Sequence, residues 1–112
     1  MDFVKKIVVK EKGILVEANI MLIGDDFLVI VTGGDKPHIG AISYGNVNEE
    51  NNIALGEHKE LFITEKMFKK LKNICNNNLL ITGGIHIDNI TKEQIGHVLE
   101  NCELLIEKIS EV

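Results

Sequence analysis

Arginine and tryptophan are missing altogether from the 112 residues, proline and tyrosine occur once each, and cysteine occurs twice. Without arginine there is no guanidinium fork for bidentate capture of a guanine edge, a phosphate or a carboxylate. An anion bound here must be held by backbone amides, lysine or histidine. Seventeen acidic residues against twelve lysines leave a net charge of -5. That balance opposes the phosphate backbone, so nucleic acid is not expected as a partner. The longest apolar run, Phe27 to Val31, is far short of the roughly 20 residues of a membrane-spanning helix. The N-terminus has no apolar segment followed by a small-residue cleavage site. The expectation is a cytoplasmic protein without a membrane span, its two cysteines reduced and in the core rather than in a disulfide framework.

What is present is ordinary for a folded chain: 45% apolar and 26% charged residues, in a length that suits one domain over 1–112. Alternation predicts a strand over residues 3–10, with Ile7 and Val9 opposite Lys6 and Lys10, a turn at Lys12-Gly13, and a second strand over 14–23. Phe27 to Val31 lacks polar alternation and predicts a central strand covered on both faces, ending at Thr32-Gly33-Gly34. Residues 39–44 read as a returning strand closing an antiparallel meander, and Gly45 to Asn52 as a surface loop. The period then changes. Thr64 is placed to cap a helix carrying Met67, Phe68, Leu71, Ile74 and Cys75 on one face, and Leu79 to Ile81 is a short buried strand. Thr91 and Gln94 form a capping box with Ile90 and Ile95 as its staple, opening a helix whose stripe runs from Ile95 through Val98, Leu99, Cys102, Leu105 and Ile106 to Ile109. The fold class expected is α+β, a mainly antiparallel sheet of about five strands with two helices on one face.

One pattern repeats. Thr32-Gly33-Gly34-Asp35-Lys36-Pro37-His38-Ile39 is echoed by Thr82-Gly83-Gly84-Ile85-His86-Ile87-Asp88. Each is a buried strand ending in Thr-Gly-Gly, then a histidine followed by isoleucine. Glycine admits positive φ and close backbone approach, so each doublet can aim amides at an anion or a flat polar molecule, or can simply be a turn or bulge. Neither has phosphate-loop spacing. If the two strands end on one edge of the sheet, both doublets and both histidines share a pocket. His97, between apolar helix positions, is left out as a flank of the packed face. His38, His58 and His86 with Asp35 and Asp88 have zinc-compatible chemistry but no tight ligand spacing, so a metal is not favoured. Cys75, Cys102, Ser43 and Ser110 have no nucleophile context, and no catalytic residue is assigned.

The block Thr32 to Ala41, the step His58-Lys59-Glu60, and Gly84-Ile85-His86-Ile87-Asp88 before the last helix resemble the prenylated-flavin chaperone family, LpdD-like, named for the small subunit of gallate decarboxylase. Order and spacing agree over nearly the whole chain. One departure is Glu57, which stands between Gly56 and His58. The resemblance implies an accessory protein that binds prenylated FMN, or a related flavin such as FMN, and hands it to a UbiD-like non-oxidative aromatic acid decarboxylase. It implies a cofactor site from Thr32, Gly33, Gly34, Asp35, His38, Gly40, His58, Lys59, Gly83, Gly84, His86 and Asp88. Five aromatics, with Tyr44 alone near a candidate loop, offer little ring stacking. Two other readings stay open: a small metal-dependent enzyme acting through His38, His58 and His86, and a subunit whose glycine-rich edge serves homo-oligomerisation or partner docking without any small molecule.

Overall fold

The computed structural model describes residues 3–56 and 59–111. Six strands and two helices follow in the order β1 (Phe3–Glu11), β2 (Ile14–Ile23), β3 (Asp26–Gly34), β4 (Ala41–Asn46), β5 (Glu49–Ala54), α1 (Lys59–Cys75), β6 (Leu79–His86) and α2 (Lys92–Ser110). The fold class is α+β as expected, with six strands rather than about five. The added one is β5, where the sequence predicts a loop. Its sequence Glu-Glu-Asn-Asn-Ile-Ala has no clear alternation because β5 is an edge strand paired to β4 alone. A short polar edge also resists pairing with other chains.

The sheet order is β1-β2-β3-β6-β4-β5. Strands β1 to β3 form the expected meander, joined at the first turn by Lys12 and Gly13 with φ of 57° and 73°, the two positive values that a type I′ hairpin requires. The meander does not extend to β4. Strand β6 inserts between β3 and β4, parallel to β3 with Val29 opposite Ile81, and antiparallel to β4 with Ile42 opposite Thr82. Both Thr-Gly-Gly triplets lie inside their strands, because pairing continues to Gly34 opposite His86.

Both helices cover one face of this sheet, α1 over β4, β5 and β6 and α2 over β1 and β2. Between the layers lie Val16, Val29, Val31 and Ile81 from the sheet, Met67 and Phe68 from α1, and Leu105 and Ile106 from α2. Burial of each such side chain contributes about 1.5–3 kcal/mol before the entropy of ordering is subtracted. The expectation that β3 is covered on both faces is corrected: Val29 and Val31 are buried under the helices, whereas Leu28 and Ile30 on the other face are only half-buried.

Helix α1 begins five residues before the predicted cap. Thr64 lies within it, fully buried, where its hydroxyl accepts a hydrogen bond from Ser43 Oγ at 2.8 Å and donates to the Leu61 carbonyl at 3.2 Å. A threonine that can cap a helix can equally return its hydroxyl to the preceding turn. Met67, Phe68 and Leu71 are buried as expected, but Ile74 is exposed. The α2 capping box is present, with the Gln94 amide donating to Thr91 Oγ1 at 3.1 Å and the Thr91 amide donating to Gln94 Oε1 at 2.9 Å.

Thr82, central in the sheet, has a buried hydroxyl with no hydrogen-bond partner among the described residues. Valine keeps its shape and strand preference while removing the unmet polar group. Thr82→Val is therefore expected to stabilise the fold by about 1 kcal/mol. The measurement is urea unfolding, with a raised midpoint at unchanged slope. A lowered midpoint would show that the hydroxyl is bonded in solution.

Candidate functional site

Because β6 lies between β3 and β4, the chain leaving β3 must cross the end of β6 to reach β4, and residues 35–40 make this crossing. The Asp35 amide donates to the His86 carbonyl at 2.6 Å on one side of β6, and the Gly40 amide donates to the Gly83 carbonyl at 2.8 Å on the other. The crossing passes over Gly84, where a Cβ would collide with the backbone carbonyl of His38. Gly34, at φ 71°, has the same relation to the carbonyl of His86. The first demand these glycines meet is thus the close approach of the protein's own backbone.

The crossing brings two histidines together at the sheet end, their ring centroids 6.4 Å apart and their planes nearly perpendicular at 78°. His38 Nε2 lies 3.0 Å from Glu60 Oε1 in the first turn of α1, and Nδ1 lies 3.1 Å from the Lys36 carbonyl. Both ring nitrogens face acceptors, so both bonds form when the imidazole carries two protons, and the ring is then a cation. His86 Nε2 lies 2.9 Å from Asp88 Oδ1, and the Asp88 amide donates to Asp35 Oδ2 at 3.0 Å, tying the two histidine segments together. Gly40 gives Glu60 its place, since a Cβ there would stand 2.8 Å from the carboxyl carbon.

Of the predicted site residues, Asp35, His38, Gly40, Gly84, His86 and Asp88 meet at this crossing, and Gly34 adjoins it through His86. Gly83 meets it through its carbonyl alone, which accepts from the Gly40 amide, and Thr32 and Gly33 do not. Thr32 pairs with Glu17 and Gly84 within the sheet, Gly33 lies against the Leu15 carbonyl, and Gly83 lies beneath Thr64 of α1. Lys59 opens α1, and His58 lies outside the described residues. Glu60 was missed as a site residue although it stands in the His58-Lys59-Glu60 step, because its role depends on His38 lying 22 positions away.

Below the histidines, a cleft of about 640 Å³ opens between α1, α2 and the end of β6. Its walls are Phe62 and Ile63 from α1, Ile95, Val98 and Leu99 from α2, and Ile85 and Ile87 from β6 and the loop after it, with His38, Glu60 and His86 at the lip. Its size falls within the roughly 300–1,000 Å³ of small-molecule sites, and an apolar interior with few convergent polar groups is their usual composition. Sequence periodicity assigns Ile95 and Leu99 to the buried stripe. They are 42% and 37% exposed because the first turns of α2 overhang this opening. Tyr44 lies on the opposite face of the sheet, paired with Leu80, and the aromatic ring in the cleft is Phe62, 58% exposed.

Among the described residues no group of three His, Cys, Asp or Glu side chains is placed to hold a metal ion, and no helix is long and apolar enough to cross a membrane. Both cysteines are free, and burial pushes the Cys102 thiol up to about 12, so it is not a nucleophile near neutral pH.

Comparison with known proteins identifies the family to which this two-layer α+β domain, with its apolar cleft lipped by polar groups, belongs. The chain belongs to the prenylated flavin chaperone LpdD-like family, whose family model matches residues 10–112. Protein LpdD of Lactiplantibacillus plantarum is 36% identical over 92 residues, spanning 77% of this chain and 68% of that protein. Among solved structures, a chain of a chaperone complex for yeast 20S proteasome assembly superposes with a TM-score of 0.64 over 96% of this chain and 92% of its own length. At 12% identity this likeness concerns the fold alone.

Proposed function

We propose that this protein is a cytoplasmic accessory subunit that holds prenylated FMN, or a related flavin, and passes it to a UbiD-like non-oxidative aromatic acid decarboxylase. The observation that carries the reading is the cleft: an apolar slot with one aromatic wall, Phe62, beneath two histidines. A prenylated flavin is a flat, largely apolar ring system bearing polar carbonyls and a phosphate. The residues present suit the ring through Phe62, Ile63 and Leu99, and a polar atom through Nδ1 of His86, whose Nε2 faces Asp88, whereas both ring nitrogens of His38 already face Glu60 and the Lys36 carbonyl. The Asp35 and Gly40 amides are already bonded to β6, which leaves the anionic part of the ligand chiefly to side chains. In this reading the chemistry belongs to the enzyme that receives the flavin, and the work of this chain is binding and protection from water.

Untagged protein co-expressed with a flavin prenyltransferase is expected to carry a flavin by native mass spectrometry and absorbance, and protein given only FMN to carry less. Phe62→Ala and His86→Ala, both at exposed positions, should each weaken binding about tenfold, equivalent to about 1.4 kcal/mol, without loss of fold. Absence of flavin under both conditions, or variants that bind as well as the parent, would overturn this reading.

A further inference from the structure

We infer that two copies of this chain pair face to face through the side of the sheet that carries no helix. Strand register places Met21, Leu28, Leu80 and Tyr44 in one row across β2, β3, β6 and β4. The next row holds Ile30, Thr82, Ile42 and Ile53. All of these point away from the helices, because their chain neighbours Val29, Ile81 and Ser43 are buried beneath them. Leu80, Tyr44 and Ile53 remain 37–43% exposed. An antiparallel sheet with one solvated face alternates apolar inward and polar outward. Here the outward positions at the centre of the sheet are also apolar, apart from the threonines Thr32 and Thr82.

The size of the face fits a stable dimer. Six strands about 4.8 Å apart, rising about 3.3 Å per residue, make a surface roughly 25 Å on a side, or about 600 Å². Two such faces together hide about 1,200 Å², the lower bound for specific interfaces. Charge favours a second copy as the occupant. The chain carries a net -5, yet on this face Lys6, Lys10, Glu17 and Glu49 balance one another and lie on the outer strands β1, β2 and β5, with Lys6 3.2 Å from Glu17. Asp26, at the far end of β3, accepts from the Asn78 amide. The centre is uncharged, so two acidic copies meet here with little repulsion, and the dry centre and polar rim have the anatomy of an interface. A self-complementary patch of this kind closes as a two-fold dimer. The product is four layers, helices outside and sheets within, with the two histidine-lipped clefts opening outward on opposite sides.

Sedimentation velocity over a micromolar dilution series tests this. The parent should sediment as a dimer of twice the 12.5 kDa chain mass. Leu80→Lys, at a half-exposed position that tolerates a charge in the monomer, should raise the dissociation constant at least about 100-fold with an unchanged far-ultraviolet circular dichroism spectrum. Leu99→Lys, at the cleft, should leave the dimer intact. Tyr44→Lys serves as the second sheet-face variant should Leu80→Lys fail to fold. A monomeric parent overturns the inference, and so does a dimer that survives the sheet-face variant or is broken only by Leu99→Lys.

Discussion

Gly84→Val is expected to destabilise the protein by about 3 kcal/mol or more, a large share of the roughly 5–15 kcal/mol available to a domain of this size. The reason is position rather than flexibility. A Cβ at residue 84 would run into the carbonyl of His38, and into backbone rather than the yielding end of a side chain. Either the crossing segment 35–40 lifts from β6, breaking the hydrogen bonds from Asp35 and Gly40, or the strand is displaced from its place between β3 and β4. Both outcomes separate His38 from His86, so flavin binding and stability should fall together. Gly96 is the internal control. It lies within α2, where a Cβ would meet nothing within 4 Å, and Gly96→Ala should stabilise the helix by about 0.5–1 kcal/mol. Urea denaturation of the two variants should move the midpoint in opposite directions. A Gly84→Val protein as stable as the parent would mean that the crossing segment does not rest on β6.

This contrast shows what could be read from the sequence and what could not. The repeated Thr-Gly-Gly with its following histidine leads to the expectation of a shared edge, and His38, His86, Asp35 and Asp88 do converge. The reason for the glycines is hidden, because it depends on β6 inserting between β3 and β4, and alternation along a strand carries no record of its neighbours. The same insertion makes residues 35–40 a crossing rather than a hairpin loop. Capping chemistry is local, and so Thr91 and Gln94 are legible. Thr64 is misplaced by its local sequence because the competing partner of its hydroxyl, Ser43, comes from another strand. The cleft is not legible either. Ile95 and Leu99 continue the apolar spacing of α2 as faithfully as Leu105 or Ile109, and only the splay of α1 from α2 above the end of β6 separates cleft wall from core.

Asn101 is the second position where a single change should have a large effect. It lies in the apolar stripe of α2, 1% exposed, where sequence periodicity would favour a leucine. Its Nδ2 donates to the Glu11 carbonyl at 3.0 Å and to the Ile14 carbonyl at 2.8 Å. These carbonyls flank the Lys12-Gly13 turn, so one amide group joins the helix to the first hairpin across nearly ninety residues of chain. Asn101→Leu preserves size but leaves two inward-facing carbonyls unmet, at about 1–3 kcal/mol each when no water reaches them. A loss of about 3 kcal/mol is expected. Asn101→Asp separates shape from bonding, since a carboxylate of the same outline offers only acceptors to the two carbonyls, and at neutral pH it should be more damaging than leucine. Because α2 forms a wall of the cleft through Val98 and Leu99, loosening its anchor should also weaken flavin retention in protein that remains folded. Chemical denaturation of both variants, with hydrogen exchange at Glu11 to Val16, measures the effect. If both variants match the parent in midpoint and in protection of the hairpin, the hairpin is held by the apolar packing of Ile7, Val9 and Ile14 against Cys102 and Leu105, and the amide contributes nothing.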